Sequence, residues 1–132
     1  MTGLLRKVDA VTIRVPDLDT GLEFYRDQLG HELLWRNDDI GQAGLRLPDA
    51  DTEIVLTTAL DYAPTWLVNS ADDAAEQLTT RGGRLIKAPF DIPVGRCAIA
   101  EDPFGNPLVL LDLSKGLYVT DAQGSVTGVE PS

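Results

Sequence analysis

At 132 residues and 43% hydrophobic content, the chain is long enough for one domain with a real core, or for two half-size modules. Its 21 acidic against 11 basic residues give a formal charge of −10, which repels phosphate backbones and anionic bilayers and so sets aside nucleic acid and membranes as partners. Cys97 is the single cysteine, which excludes an internal disulfide framework. No stretch approaches the roughly 18 apolar residues of a membrane span, so a cytoplasmic protein is expected. The acidic balance could attract a cationic small molecule, but on its own it reads as a solubility device.

Val8 to Val15 is rich in β-branched residues and stops at Pro16, which predicts a strand. Asp17 or Asp19 then caps a helix whose apolar face is Leu18, Leu22, Tyr25 and Leu29, closed by Gly30. Strands follow near His31–Arg36, Ala43–Leu47 and Glu53–Thr58, with residues 48–52 as the turn between the last two. Thr65–Val68 begins a second round of the same order. Ser70, with Asp73 three residues on, has capping-box spacing at the start of a helix. Ala71, Ala74, Ala75 and Leu78 form its narrow apolar face, and Gly82-Gly83 ends it. Strands near Arg84–Lys87, Arg96–Ala100 and Leu108–Leu113 complete the round. Residues 115–132 predict either a terminal hairpin, turning at 121–124, or a frayed tail.

The two rounds are a sequence repeat. Asp17–Gly30 matches Ser70–Gly83, and Gly41–Thr58 falls without a gap on Gly95–Asp112. One such unit cannot bury its own apolar face, so two copies are expected to pack, module 1 at about 7–58 and module 2 at about 63–113, in a single domain over 1–114.

Val15-Pro-Asp-Leu-Asp with Phe24-Tyr-Arg-Asp-Gln-Leu-Gly resembles the first-module signature of the vicinal oxygen chelate superfamily, the family of glyoxalase I, bleomycin-resistance proteins and extradiol dioxygenases. Glu101-Asp-Pro-Phe-Gly-Asn-Pro resembles the turn before that family's last strand. The likeness covers about residues 7 to 113. It implies an α+β fold in which two βαβββ modules form a curved mixed sheet around a central cavity, the glyoxalase/bleomycin resistance/dihydroxybiphenyl dioxygenase fold.

Such relatives typically hold a divalent metal with His, Gln or Glu from the first and last strands of each module. Carried over by this resemblance, those positions are Ala10, Val55, Ala63 and Val109. Hydrocarbon cannot replace imidazole, thiolate or carboxylate donors, so no metal and no other cofactor is expected. A one-residue slip would not rescue the site, because it turns each side chain to the opposite face: Glu53 could share a face with Val55, whereas Asp9 should not share one with Ala10. His31, the only histidine, follows a helix exit and reads as a surface or loop residue.

No other catalytic arrangement is visible. Cys97 lies in a predicted strand without a nearby histidine and reads as a structural buried thiol. Ser70 and Ser114 lack an activating base, and Gly82-Gly83 follows a helix where an anion-binding loop would precede one. Strand alternation with position 10 inward selects Thr12, Arg14, Glu53, Thr57, Thr65, Leu67 and Leu111 as cavity lining, mostly apolar with a few polar groups. By resemblance, Arg14 stands where glyoxalase I holds a substrate carboxylate; its plain alternative is pairing with a nearby acid. Trp35 and Phe90 are core or cavity, while Trp66 has the parity of a residue packed on the helix.

The sequence therefore predicts a metal-free binder of a small organic molecule, cationic or planar aromatic, held between modules of a homodimer and sequestering an antibiotic or similar ligand without catalytic residues. The resemblance leaves module exchange between subunits open. The alternative is a glyoxalase-like lyase, isomerase or dioxygenase, either with metal ligands at other positions than these four or working without metal through Glu53 and Arg14. A third reading is a structural or regulatory domain with an empty pocket.

Overall fold

A computed structural model describes residues 3–132. The chain divides into two compact units, one built from Asp9–Tyr62 with Tyr118–Gly128, the other from residues through Val8 with Ala63–Leu117 and Val129–Ser132. Each contains one round of the repeat, and the architecture is α+β.

In the first unit, β1 (Lys7–Arg14) leads through Pro16 to Asp17, whose carboxylate accepts from the Thr20 N–H at 2.7 Å and caps α1 (Leu18–Leu22). The helix then widens into a π-helical turn over Glu23–Gln28, in which the Leu29 N–H reaches back to the Phe24 carbonyl at 2.9 Å. This wider winding breaks the predicted apolar stripe. Leu18 and Leu22 are buried and Tyr25 packs against them, but Leu29 has rotated out to 52% exposure.

Three strands follow: β2 (Leu33–Asn37), β3 (Gln42–Leu47) and β4 (Ala50–Thr57). The turn predicted over 48–52 is only Pro48-Asp49, because Ala50 already pairs with Leu47. The strand order is β2-β3-β4-β1, with β4 parallel to β1 and the other neighbours antiparallel. Parallel pairing requires a crossover, and the helix with two intervening strands supplies it. One face packs on the helix as a core of Val15, Leu18, Leu22, Ala43, Leu45 and Leu56.

The second unit repeats this plan with β5 (Ala63–Leu67), α2 (Ala71–Thr80), β6 (Arg84–Ile92), β7 (Gly95–Glu101) and β8 (Pro107–Leu111), in the order β5-β8-β7-β6. The Ser70 hydroxyl accepts from the Asp73 N–H at 3.2 Å, as the capping spacing predicts. Alanines at 74, 75, 98 and 100 form a core with Val68 and Leu110, joined by Trp66 at its margin. Strand β6 runs five residues past its predicted end at Lys87. Pro89 is tolerated there because β6 is the outer strand of this unit's order and is bulged on both sides of Lys87.

The C-terminal segment forms a hairpin of β9 (Leu117–Thr120) and β10 (Val126–Glu130). Asp121 closes its turn by accepting from the Gln123 and Ser125 N–H groups at 2.9 and 3.0 Å. Within the first unit the hairpin docks on β2: the Arg36 N–H donates to the Gly124 carbonyl at 2.8 Å, and Arg36 bridges Ser125 in parallel.

Candidate functional site

Strand alternation and register sort the candidate residues by face. In the first unit Ala10 pairs with Glu53, Thr12 with Val55, Arg14 with Thr57, and Gly44 with both Val55 and Trp35. All of these lie on the face opposite the helix, since Ile13, Leu45, Ile54 and Leu56 occupy the helix side. In the second unit Thr65 pairs with Val109, Leu67 with Leu111, and Cys97 with both Leu111 and Phe90, again opposite the helix. Trp66 packs on the helix-side core, the side its parity predicts.

Burial then separates the nine candidates. Thr57 is fully buried, and its hydroxyl accepts from the Ala59 and Leu60 N–H groups at 3.2 Å each. It shapes the turn after β4. Thr12 is buried and gives its hydroxyl proton to the Asp61 carbonyl at 2.7 Å. Thr65 and Leu67 are buried as well. Trp35, Glu53, Phe90 and Leu111 are half-buried, and Arg14 is exposed.

Arg14 meets Asp61 at 3.4 Å in an exposed ion pair, the plain alternative foreseen for it. Such a pair contributes little stability. Arg14 and Glu53 belong to opposite ends of the β1–β4 ladder, four residues or about 13 Å apart along the strand. The first unit does not assemble them into a reactive pair.

Glu53 is instead joined to Trp35, whose indole Nε1–H donates to Oε1 at 2.7 Å. The indole lies on Gly44, where any Cβ would collide with the ring and with the Glu53 carboxylate. Tyr118 of the hairpin packs against the indole with ring centroids 4.8 Å apart and planes inclined by 43°. Burial, the larger influence, raises the Tyr118 phenol above its ordinary pKa, while a hydrogen bond to the Asn37 side chain acts against it. Sequence reasoning did not select Tyr118, because the terminal segment matches nothing in the repeat. The glycine at 44, inside a strand, was the available signal of a close approach.

The second unit offers a different surface. Lys87 Nζ stands 4.2 Å from the centroid of the Phe90 ring. Cys97, on the same face, is 8% exposed, and burial pushes its thiol up to about 11, against a smaller opposing influence of Lys87. A thiol held protonated at neutral pH is a poor nucleophile. Native protein should therefore react with a thiol reagent such as dithionitrobenzoate at least tenfold more slowly than protein in denaturant; equal rates would refute the buried-thiol assignment.

Ala10 and Val55 in the first unit, and Ala63 and Val109 in the second, present only hydrocarbon where the superfamily resemblance placed metal ligands. Among the described residues no three His, Cys, Asp or Glu side chains gather closely enough to hold an ion. The donor set does not fit a divalent metal, and no step through one is derived. Also among the described residues, no helix is long and apolar enough to cross a membrane.

Comparison with known proteins agrees with this architecture. Residues 7–110 match the family model for the Glyoxalase/Bleomycin resistance protein/Dioxygenase superfamily. An uncharacterized protein of Mycolicibacterium smegmatis is 30% identical over 109 residues, spanning 78% of this chain and 90% of that protein. Among solved structures, the methylmalonyl-CoA epimerase of Mycobacterium tuberculosis is similar at a TM-score of 0.66 and 25% identity, over 85% of this chain and 91% of the epimerase. A serine-to-threonine variant of the Streptomyces coelicolor methylmalonyl-CoA epimerase, in complex with 2-nitronate-propionyl-CoA, is similar in fold at a TM-score of 0.64 and 22% identity, over 82% of this chain and 94% of that one. The chain belongs to the Glyoxalase/Bleomycin resistance protein/Dioxygenase superfamily.

Proposed function

We propose that the protein binds a small organic molecule, planar and positively charged, without a metal and without chemical turnover. The observation that carries this reading is the donor set: alanine and valine at all four positions where the resemblance places metal ligands. The second support is the Trp35–Glu53 pair on the helix-free face of the first unit, which combines an aromatic ring with a carboxylate. Ring faces attract cations and stack on planar systems, and a carboxylate adds complementary charge. Sequestration of an antibiotic or similar compound would need only affinity and protein concentration, with no transition state to stabilise. A cytoplasmic homodimer completes the proposal, its oligomeric state to be measured by light scattering.

Two measurements test it. Protein purified from medium supplemented with zinc, nickel and iron should carry far less than one metal per chain, and stoichiometric metal would move the assignment to an enzyme. Thermal unfolding with cationic glycopeptide and planar aromatic antibiotics should reveal at least one stabilising compound. At 100-fold excess over its Kd, a ligand stabilises by about 2.7 kcal/mol. A panel with no shift would sink the reading.

One observation favours a second reading, an isomerase: the 25% identity to the M. tuberculosis epimerase over 91% of that protein. Incubation with methylmalonyl-CoA in deuterium oxide tests it, since epimerisation would carry solvent deuterium into the α-position. The separation of Glu53 from Arg14 along the ladder weighs against this chemistry through those two residues.

A further inference from the structure

We infer that Tyr118, delivered by the C-terminal hairpin, is a specificity-determining residue of the Trp35–Glu53 face and selects planar aromatic cations over non-aromatic ones. The inference rests on the proposed binding function and adds which part of the chain chooses the ligand. The hairpin lies outside residues 7–110 that match the superfamily model.

Three features point from packing to selection. The hairpin is fixed in place by the Arg36 N–H to Gly124 carbonyl bond at 2.8 Å, with Asp121 holding its turn through the Gln123 and Ser125 N–H groups. The indole is held at its polar end by Glu53 at 2.7 Å, and the phenol ring packs against the indole. Both also stay half-buried, and their planes splay by 43° rather than closing into a stack. Rings fixed before binding lose little freedom when a ligand stacks on them, which is how aromatic residues provide contact area at low entropic cost. Gly44 beneath the indole sets its height, since any side chain there would run into the ring and the Glu53 carboxylate.

The test uses full-length protein and two probes, proflavine as the planar aromatic cation and tetraethylammonium as the non-aromatic one. Tyr118→Leu keeps an apolar side chain but removes the ring. It should weaken proflavine binding at least tenfold, whereas Tyr118→Phe stays within about twofold. Tetraethylammonium should bind both variants and the wild type equally weakly. Unchanged proflavine affinity in Tyr118→Leu would overturn the inference and leave the binding function standing; failure of the wild type to bind any ligand overturns both.

A second measurement keeps the inference open to refutation should Tyr118→Leu fold poorly. Proflavine should slow nitration of Tyr118 by tetranitromethane in the wild type at least tenfold, read by mass spectrometry. Tyr62, 73% exposed, serves as the internal control. Equal protection of both tyrosines, or of neither, would show that the probe binds elsewhere.

Discussion

Replacing Asp112 with alanine is expected to destabilise the fold by about 3 kcal/mol or more, measured by denaturant or thermal unfolding. Asp112 is 3% exposed. Its carboxylate accepts from the Ala71 N–H at 2.8 Å, the Arg96 N–H at 2.9 Å, the Ser114 N–H at 3.1 Å and the Ser114 hydroxyl at 2.7 Å. One side chain thereby ties the start of α2, the start of β7 and the segment after β8. Truncation would leave several donors without an acceptor, each costing about 1–3 kcal/mol where water cannot reach. Gly95 is part of the same junction, since a Cβ there would run into Asp112 itself.

Burial, the largest single influence on this carboxyl, raises its pKa, but the hydrogen bonds together outweigh it and hold the group below 3.8. A depressed folded-state pKa means that the native state binds the proton less readily than the unfolded chain. Its stabilisation is complete above the unfolded value and is lost as the pH falls through the folded one. Asp112→Asn should therefore be less stable than wild type at pH 7, with the difference shrinking as the pH falls below about 4. A gap that stayed constant from pH 7 to pH 2.5 would refute the role given to the charge.

The repeat pairs Asp112 with Thr58 and Gly95 with Gly41, so the position of this junction is legible in the sequence. Its meaning is not, because equivalent positions carry different chemistry. The Thr58 N–H donates to the Gly41 carbonyl at 3.1 Å, whereas Asp112 adds a buried charge. The succession of strands and helices along the chain was legible because Pro16, Gly30 and the alternation of β-branched residues are local signals. The π-helical turn was not, since Glu23–Gln28 carries no composition that separates it from an α-helix, and by α-helical spacing Leu29 completes a stripe.

The candidate site follows the same division. Alternation placed Glu53 and Leu111 opposite the helices, and there a period of two is sufficient evidence, whereas Trp35 and Phe90 stood open between core and cavity until the register put them on that face. Alternation does not reveal how exposed a face is, which is why Thr57 satisfied the pattern and yet spends its hydroxyl on a turn. The Trp35–Tyr118 contact spans more than eighty residues of sequence and rests on hairpin docking, a tertiary fact with no local signature.

Leu56→Ala should destabilise by about 2–5 kcal/mol, with a fall in Tm on the order of 10 °C. Leu56 is fully buried in the core of the first unit among Val15, Leu18, Leu22, Ala43 and Leu45. Truncation loses both the transfer free energy of the removed carbons and the contacts around the cavity that remains. Its effect should also be local in a particular way. A five-residue helix such as α1 has almost no stability of its own, so it is held by the face it packs on, and the π-helical turn continues from it. The Leu29 and His31 amides, bonded to Phe24 and Tyr25 carbonyls at 2.9 and 3.1 Å, should lose hydrogen-exchange protection in Leu56→Ala beyond the global loss of stability. Leu60→Ala, at a position 42% exposed in the same unit, should change stability by no more than about 0.5 kcal/mol and leave those amides protected. If Leu56→Ala costs less than Leu60→Ala, or leaves the π-helical amides as protected as in wild type, packing against β4 is not what holds this helix.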